Sequence, residues 1–531
     1  MKSLYLFLAA MLYAATSFAQ SADVPVKHYA PMVAADNHDI ITEQPEGELR
    51  YYIRSGRSTW ATQFFQDVEQ DGIAAQVVFS ADGKKAYFKD IISHAATGAW
   101  VEGDIEGDKI QVPLGQLVYW WDKDAQGYTN YGMMLARVQT IDGSIQKTKY
   151  SIEGNATFRI EGDNLILEGT SGDDTTKAYD GLGLVYTAYG SIPAGEWSYY
   201  LDYNTVYTHK KVTPISVPDN LETELYSLER ENTGHIVRIA FDGSDVYIQG
   251  ASENYVPQLW MKGTLKGNKI TFPVQFADVY GSYLIFFCGA DWAYTQDEDG
   301  YWSYKYYWTD GSITFDYDPK NRTLSSQQAL LVNNSDTEVG RGEIYRSPTL
   351  RPYKERAATP ADPSIIYYTD YFQYGGQFSI MMPSVPLKDT EGNFIDPAKT
   401  SWRIFVDNDE PYTLYKDEYK YLAEDIDEVP YLFSAEQDEQ FSRSYIYEKA
   451  YAIYIYQTGF DRIGVQTIYR GGGEEHRSKI GYYDVTHVNG IADTAIPIES
   501  FDLSGRPVSK GHKGLTITRM SDGRVVKRLQ R

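Results

Sequence analysis

The sequence predicts an all-β protein: two homologous antiparallel β-barrel or β-sandwich repeat domains, a third β unit, and a short C-terminal β tail. Three observations carry this prediction. The aromatic content is 47 Tyr and 10 Trp against 21 Phe. Tyr and Trp suit a half-buried pleated surface, with the ring inward and a polar tip in water. Apolar residues alternate around Asp-Gly and Gly-Asn turns, and long runs at helical spacing are missing. Finally, residues 77–113 match residues 237–273 at a constant offset of 160 without a gap: Val77/Val237, Asp82/Asp242, Gly83/Gly243, Tyr87/Tyr247, Trp100/Trp260, Gly103/Gly263, Gly107/Gly267, Lys109/Lys269, Ile110/Ile270 and Pro113/Pro273.

Taken in chain order, residues 1–19 read as a secretory signal peptide. Lys2 gives the charged start, Leu4 to Ala15 the apolar run, and Ser17-Phe18-Ala19 the small-x-small cleavage site before Gln20. The run is too short for a membrane span, and no later stretch approaches the roughly twenty apolar residues that a transmembrane helix needs. Residues 20–45 form an N-terminal extension, and 46–205 and 206–350 are the two repeat domains. In each, Asp-Gly at 82–83 or 242–243 links two alternating runs, the strongest short-range hairpin signal. Gly107-Asp108 and Gly267-Asn268 mark a second hairpin, and Pro113 and Pro273 end the fourth strand because proline donates nothing to a ladder. Two hairpins alone are marginal, so strands at 156–169 and 312–318 must complete each sheet. Residues 351–363, rich in Pro and poor in apolar side chains, read as an extended linker. The third unit covers 364–488, with Tyr412 to Tyr431 as an insertion holding one helical turn, and 489–531 form the tail.

Residues 501–531 begin FDLSGR, continue through Lys513-Gly514 into a short apolar strand, and close with a turn and a basic strand. This pattern resembles the C-terminal sorting tail of proteins exported by type IX secretion. Thr516-Ile517-Thr518 departs from it, where Tyr-Ile is commoner. The W-V-K-G-x-x-x-G-N-x-I-x-x-P pattern of the two copies is similar to repeats in uncharacterised secreted and surface proteins of bacteria that use that route. Residues 462–480, RIGVQTIYRGGGEEHRSKI, resemble the closing strands of a fibronectin type III or related Ig-like sandwich. The resemblances imply a secreted or outer-membrane-surface protein, exported through the periplasm, with the export machinery as a partner of the tail.

Charge points the same way. Over its 531 residues the chain carries a net −24, while residues 501–531 hold eight Lys/Arg against two Asp. The body before the tail is therefore near −30, which keeps an exported protein soluble and repels phosphate backbones, so nucleic acid is not an expected partner. A single cysteine, Cys288 in an apolar run, rules out an internal disulfide framework and reads as a buried thiol.

Chemical motifs are missing: there is no G-x-S-x-G, H-E-x-x-H, C-x-x-C, P-loop or G-x-G-x-x-G, and the eight His are scattered. No catalytic residue, metal ligand or cofactor is expected. Asp122 to Gly127 and Gln296 to Gly300 faintly resemble calcium loops, but Asp and Gly between strands are what a tight turn needs. The aromatics are the remaining functional signal. Trp100 and Trp260, matched between copies, read as shared core. Trp120, Trp121, Trp302 and Trp308 lie in Tyr-rich neighbourhoods and are the candidate binding residues. Adjacent residues in a strand face opposite sides, so Trp120 and Trp121 cannot both enter one core. For modification, Asp174-Thr175-Thr176 and Asp493-Thr494-Ala495 resemble the Asp-Thr-small acceptor of bacterial O-glycosylation, which marks Thr175 and Thr494, while Asn155, Asn321 and Asn333 head N-x-[ST] sequons. The reading is a non-catalytic recognition or adhesion protein that binds glycan or protein at the cell surface. The alternatives are a glycan-degrading enzyme, whose carboxylate pair the sequence does not single out, and a structural spacer.

Overall fold

A computed structural model describes residues 39–530, apart from 62–64, 122–130, 142–143, 174–175, 177, 189–193, 231–232, 254–255, 297–301, 374–375, 420–421, 433–440, 445–449, 486–496, 502–507, 509–513 and 521–524. The fold is all-β and antiparallel, and the one helical element among the described residues is a 3-10 turn at Pro397–Lys399. The chain divides into two compact units, Met1–Arg230 with Ile236–Pro352, and Tyr353–Arg531 with the short segment Glu231–His235. No helix among the described residues is long and apolar enough to cross a membrane.

The first copy of the repeat consists of β1 (Glu48–Ala61), β2 (Phe65–Phe79), β3 (Lys85–Lys89), β4 (Trp100–Glu106), β5 (Lys109–Pro113), β6 (Leu117–Trp121), β7 (Tyr131–Ile141), β8 (Ser144–Ser151), β9 (Asn155–Glu161), β10 (Asn164–Leu167), β11 (Ser171–Asp173), β12 (Ala178–Tyr186) and β13 (Trp197–Lys210). Eight of them run in the order β1-β2-β3-β4-β5-β9-β10-β13 and close into a barrel, because β13 pairs back onto β1. The other strands branch from β13 as a side sheet, β13-β12-β7-β6, with β8 on β7 and β11 on β12.

The second copy consists of β14 (Glu224–Arg230), β15 (Thr233–Asp242), β16 (Asp245–Gln249), β17 (Trp260–Lys266), β18 (Lys269–Phe272), β19 (Gln275–Tyr280), β20 (Tyr283–Gln296), β21 (Trp302–Tyr307), β22 (Ile313–Asp318), β23 (Thr323–Ser325), β24 (Ala329–Asn333), β25 (Gly342–Arg346) and β26 (Thr349–Pro352). Its barrel, β14-β15-β16-β17-β18-β22-β23-β26, and its side sheet, β19-β20-β24-β25 with β21 on β20, repeat the first topology, except that β11 has no counterpart among the described residues and that β25 and β26 divide between them the pairings β13 makes in the first copy. Both barrels are filled rather than hollow. Phe88, Phe158 and Tyr207 pack inside the first, with the two Phe rings 4.7 Å apart. Phe272 and Phe315 meet at 5.8 Å in the second.

Local chemistry explains the shared frame. Glu106 pairs with Lys109 and Lys266 with Lys269, so each second hairpin turns on two residues, with Gly107 at φ 66° and Gly267 at φ 60°. Glycine adopts that left-handed backbone without a Cβ penalty. A feature that the aligned residues did not reveal is a glutamine just beyond each Pro. The Gln116 side chain accepts from the Glu102 N–H at 2.9 Å and donates to the Glu102 carbonyl at 2.8 Å. Gln275 makes the same two bonds to Lys262, at 2.6 and 2.8 Å. Each thus stands in for a strand neighbour on β4 or β17. The cross-strand ion pair beside it is inverted between copies: Lys85 reaches Glu102 at 2.6 Å and Asp104 at 2.7 Å, whereas in the second copy Asp245 holds Lys262 at 2.7 Å.

Three readings of the sequence are corrected here. Trp100 and Trp260 are not barrel core: Trp100 pairs with Lys89 and Trp260 with Gln249, on the strand face opposite the inward-pointing Val101 and Met261. Trp100 is buried because Ile41 bridges onto it from outside and Lys89 lies over its ring, while Trp260 is only half-buried. Asn333 is fully buried, its side chain bonded to Ser335, Glu338 and Gly340, so its sequon offers no acceptor in the folded chain. The expected boundary at 205/206 falls inside β13, whose residues Val206 to Lys210 pair with Ser55 to Tyr51.

The second unit contains β27 (Ser364–Gln373), β28 (Gly376–Ser384), β29 (Thr400–Val406), β30 (Val429–Pro430), β31 (Phe441–Ser444), β32 (Ala450–Ile455), β33 (Arg462–Tyr469), β34 (His476–Arg477) and β35 (Gly481–Asp484). They form two antiparallel sheets, β27-β28-β32-β31 and β30-β29-β33-β34 with β35 also on β33. Ser478 on the return from the Gly-rich turn bonds the Thr467 backbone in both directions at 2.9 Å. Within the insertion, Tyr419 N–H donates to the Tyr415 carbonyl at 3.0 Å, a single turn. The stretch expected as a linker is extended, and it is pinned to this unit by Glu355–Lys399 and Arg356–Asp389 ion pairs and by the Asp362 carboxylate on the Lys479 N–H. The tail forms a three-stranded sheet of its own, β36 (Pro497–Phe501), β37 (Gly514–Met520) and β38 (Val525–Gln530).

Candidate functional site

β20 is the strand on which the site is built. Its first half lies between β19 and β24, and its second half runs on with β21 alone as partner. Alternation puts Leu284, Phe286, Cys288, Ala290, Trp292, Tyr294 and Gln296 on one face. The lower members are buried: Leu284 and Phe286 against the first barrel, Cys288 and Ala290 beneath Trp308 and Tyr306. Burial pushes the Cys288 thiol up to about 12, so it stays protonated and unreactive. Beyond Trp292 the same stripe emerges into water.

On that emerging part, Trp292 faces Tyr306, Tyr294 faces Tyr304 and Gln296 faces Trp302 across the two strands. The rings form a ladder: Trp302 stacks on Tyr294 at 5.1 Å and 26°, Tyr294 meets Tyr304 at 4.7 Å, and Tyr304 meets Trp292 at 5.9 Å. Trp302 is 56% and Tyr294 53% exposed, unusual for rings of that size. The base of the ladder is fixed. Trp292 Nε1 donates to the Gln327 carbonyl at 3.0 Å, and Arg346 of β25 lies 3.8 Å over the Tyr304 ring while donating to the Tyr306 hydroxyl at 2.8 Å. The top of the ladder is therefore presented by a braced hairpin.

The repeat isolates what is special here. Thr140 and Thr148 of the first copy face each other where the second copy has Trp292 and Tyr306, and the first hairpin is already closing at Ile141 and Ser144. The extension that carries Tyr294, Trp302 and Tyr304 has no counterpart there. Features present in both copies build the fold, and this one does not. Sequence reading found Trp302 but missed its ring partners Tyr294 and Tyr304, whose alternation with Trp292 over 292–306 was the available signal.

The other expected residues lie elsewhere. Trp308 packs under the hairpin against the Cys288 stripe and is half-buried. Trp120 and Trp121 are on β6 of the first copy, both half-buried and paired with Gly132 and Tyr131. The structure does not bring them into the ladder. Thr175, Thr494 and most of the two calcium-like stretches lie outside the described residues, and among the described residues no group of acidic, His or Cys side chains is placed to hold a metal ion.

A buried polar cluster at one end of the first barrel is the other constellation with chemistry in it. Asp202 accepts from the Ser93 N–H at 2.9 Å and the Ser93 hydroxyl at 2.8 Å, and Ser58 lies 3.0 Å from that hydroxyl. Arg54 lies 4.0 Å from Asp202, donates to the Asp90 carbonyl at 2.7 Å and packs over Tyr207. Burial raises the Asp202 carboxyl to about 6 and lowers neighbouring His94 to about 4. The cluster is a clamp, because it ties the loop between β3 and β4 across the barrel mouth. An analogous set, with different residues, does this in the second copy: Glu343 and the Tyr345 hydroxyl both accept from the Glu253 N–H at 3.0 Å, and Arg230 lies over Tyr345. The cavity beside the first clamp, lined by Ile91, Ile92, Val118 and Leu184 among others, is about 10 Å³, no larger than a water molecule. Ser93 itself is buried, and its hydroxyl is shared between Asp202 and Ser58.

Compared with known protein families the chain matches none, and it is detectably similar to none of the curated proteins.

Proposed function

We propose that this chain is a secreted or cell-surface recognition protein without catalysis of its own, and that it holds glycan on the aromatic face of the β20–β21 hairpin. The observation that carries the reading is the ladder Trp302–Tyr294–Tyr304–Trp292, exposed at its tip, braced at its base and absent from the sister copy. Sugar rings carry an apolar C–H face that packs on an aromatic ring and hydroxyls that bond to adjacent polar groups. Trp302 turns one ring face to Tyr294 and the other outward, and Gln296 and the Tyr hydroxyls supply polar partners along the same face. An exposed patch of this kind marks an interaction site. The acidic body and the basic tail, which has a β-sheet to itself, support export to the cell surface through the type IX route.

Retention of the full chain in gels containing soluble polysaccharides tests this. Trp302→Ala and Tyr294→Ala should each release the chain while leaving the urea melt within about 0.5 kcal/mol, as for exposed side chains. Unchanged retention in both variants would remove the hairpin as the site.

A further inference from the structure

The packing between the two copies points to a second contact surface, on the first copy. In the second copy, Phe276, Val279, Leu284 and Phe286 make one patch on the outer face of the side sheet, and the first barrel covers it. Tyr51 lies 4.8 Å from Phe276, Ile53 and Ala74 complete the contact, and the Ala74 N–H donates to the Ser282 carbonyl at 2.7 Å. An ion pair between Lys210 and Asp336 at 2.7 Å flanks it.

Strand register places the same patch on the first copy. Phe276 pairs with Phe286 and, past a bulge, Val279 with Leu284. Leu117 pairs with Met134 and, past the same bulge, Trp120 with Gly132. Leu117, Trp120, Gly132 and Met134 therefore occupy the positions of Phe276, Val279, Leu284 and Phe286. Phe276 and Phe286 are buried by the barrel seated on them, whereas their counterparts Leu117 and Met134 are only half-buried; Val279 and Trp120 are half-buried in both copies, Trp120 presenting the larger ring.

The complementary surface also has a counterpart. Arg54 pairs with Tyr207, which pairs with Leu165; Leu228 pairs with Leu350, which pairs with Leu324. In that register Leu225 of the second barrel stands where Tyr51 stands in the first, and it is 40% exposed.

We infer that the chain associates head to tail, the outer face of the second barrel of one molecule, around Leu225, seating on the Leu117–Trp120–Met134 face of another and repeating between molecules the contact made within each. Such a contact is heterologous, with different surfaces on the two sides, so it propagates instead of closing as a dimer. With a net charge of −24 the molecules repel one another, and added salt screens this and strengthens the association.

Sedimentation of the full chain over a range of concentration and salt tests it. The wild-type mass should rise with concentration through multiples of one chain, more steeply in high salt. Trp120→Lys and Leu225→Glu should each sediment as single chains with unchanged circular dichroism, and Met134→Lys replaces Trp120→Lys if that variant does not fold. Mixed together, the two variants retain one intact surface each, so the mixture should form 1:1 pairs that grow no further. A wild-type chain that stays single at every concentration overturns the inference, and so does association that survives Leu225→Glu or a mixture that does not pair.

Discussion

Individual buried polar groups explain how each barrel is shut. Asp202 satisfies the Ser93 backbone and hydroxyl beside Arg54, all of it away from water. Truncating one member strands the others, so Asp202→Ala should destabilise the first barrel by about 3–5 kcal/mol, the cost of an uncompensated buried charge. The folded carboxyl, raised to about 6 from an ordinary value near 4, binds more protons than the unfolded chain between those two pH values. Stability relative to Asp202→Asn should therefore fall as pH rises from about 4 to 6, by up to about 3 kcal/mol, and level off above 6. Hydrogen exchange of the β13 amides in the full chain measures both effects, and a wild-type-minus-Asn difference independent of pH would show that Asp202 is not held this way. None of this was legible in sequence. Arg54, Ser58, Ser93 and Asp202 are scattered over the chain, and only closure of the barrel brings them together.

Strands and hairpins were the most legible level, because turn chemistry and alternation are local. The Gly107 and Gly267 turns, the Pro-terminated fourth strands and the all-β class follow from short windows. Which face a large ring occupies does not, as Trp100 and Trp260 show: a match between copies signals a shared position, and here that position is on the outside of the barrel. Trp100→Ala should cost about 3 kcal/mol or more, since Ile41 and Lys89 cover the ring. Trp260→Ala should cost only about 1 kcal/mol, in proportion to its partial burial. Thermal melts of the two variants check the order, and an equal loss in both would return Trp260 to a core role. The aromatic hairpin was half legible: the exposed Trp302 was named, but its partners were hidden among 47 tyrosines, because the spacing that joins them counts across a turn.

For the whole molecule, the repeat gave the architecture and misplaced its seam. The matched windows end well before the barrel closes, so sequence alone set the boundary at 205/206, whereas Val206 to Lys210 of β13 supply part of the pairing that seals the first barrel onto β1. A fragment ending at residue 205 should therefore be open and prone to aggregate, while one ending at residue 215 should give a cooperative urea transition. Equal behaviour of the two would mean that closure through β13 is dispensable. Tandem copies of one fold bring a hazard of their own, since a strand of one copy resembles the strand its neighbour needs, and misassembly of adjacent repeats is a common failure of such chains. The inverted ion pairs bear on this. Were β3 to dock on β17, Lys85 would meet Lys262, and were β16 to dock on β4, Asp245 would meet Glu102 and Asp104. Asp245 would face Asp104 directly and Lys85 would lie diagonally from Lys262, within the reach of the native Lys85–Glu102 pair, and like charges so placed across a ladder are destabilising. The charge inversion thus works as an error check during folding, making each hairpin reject the strand of its twin.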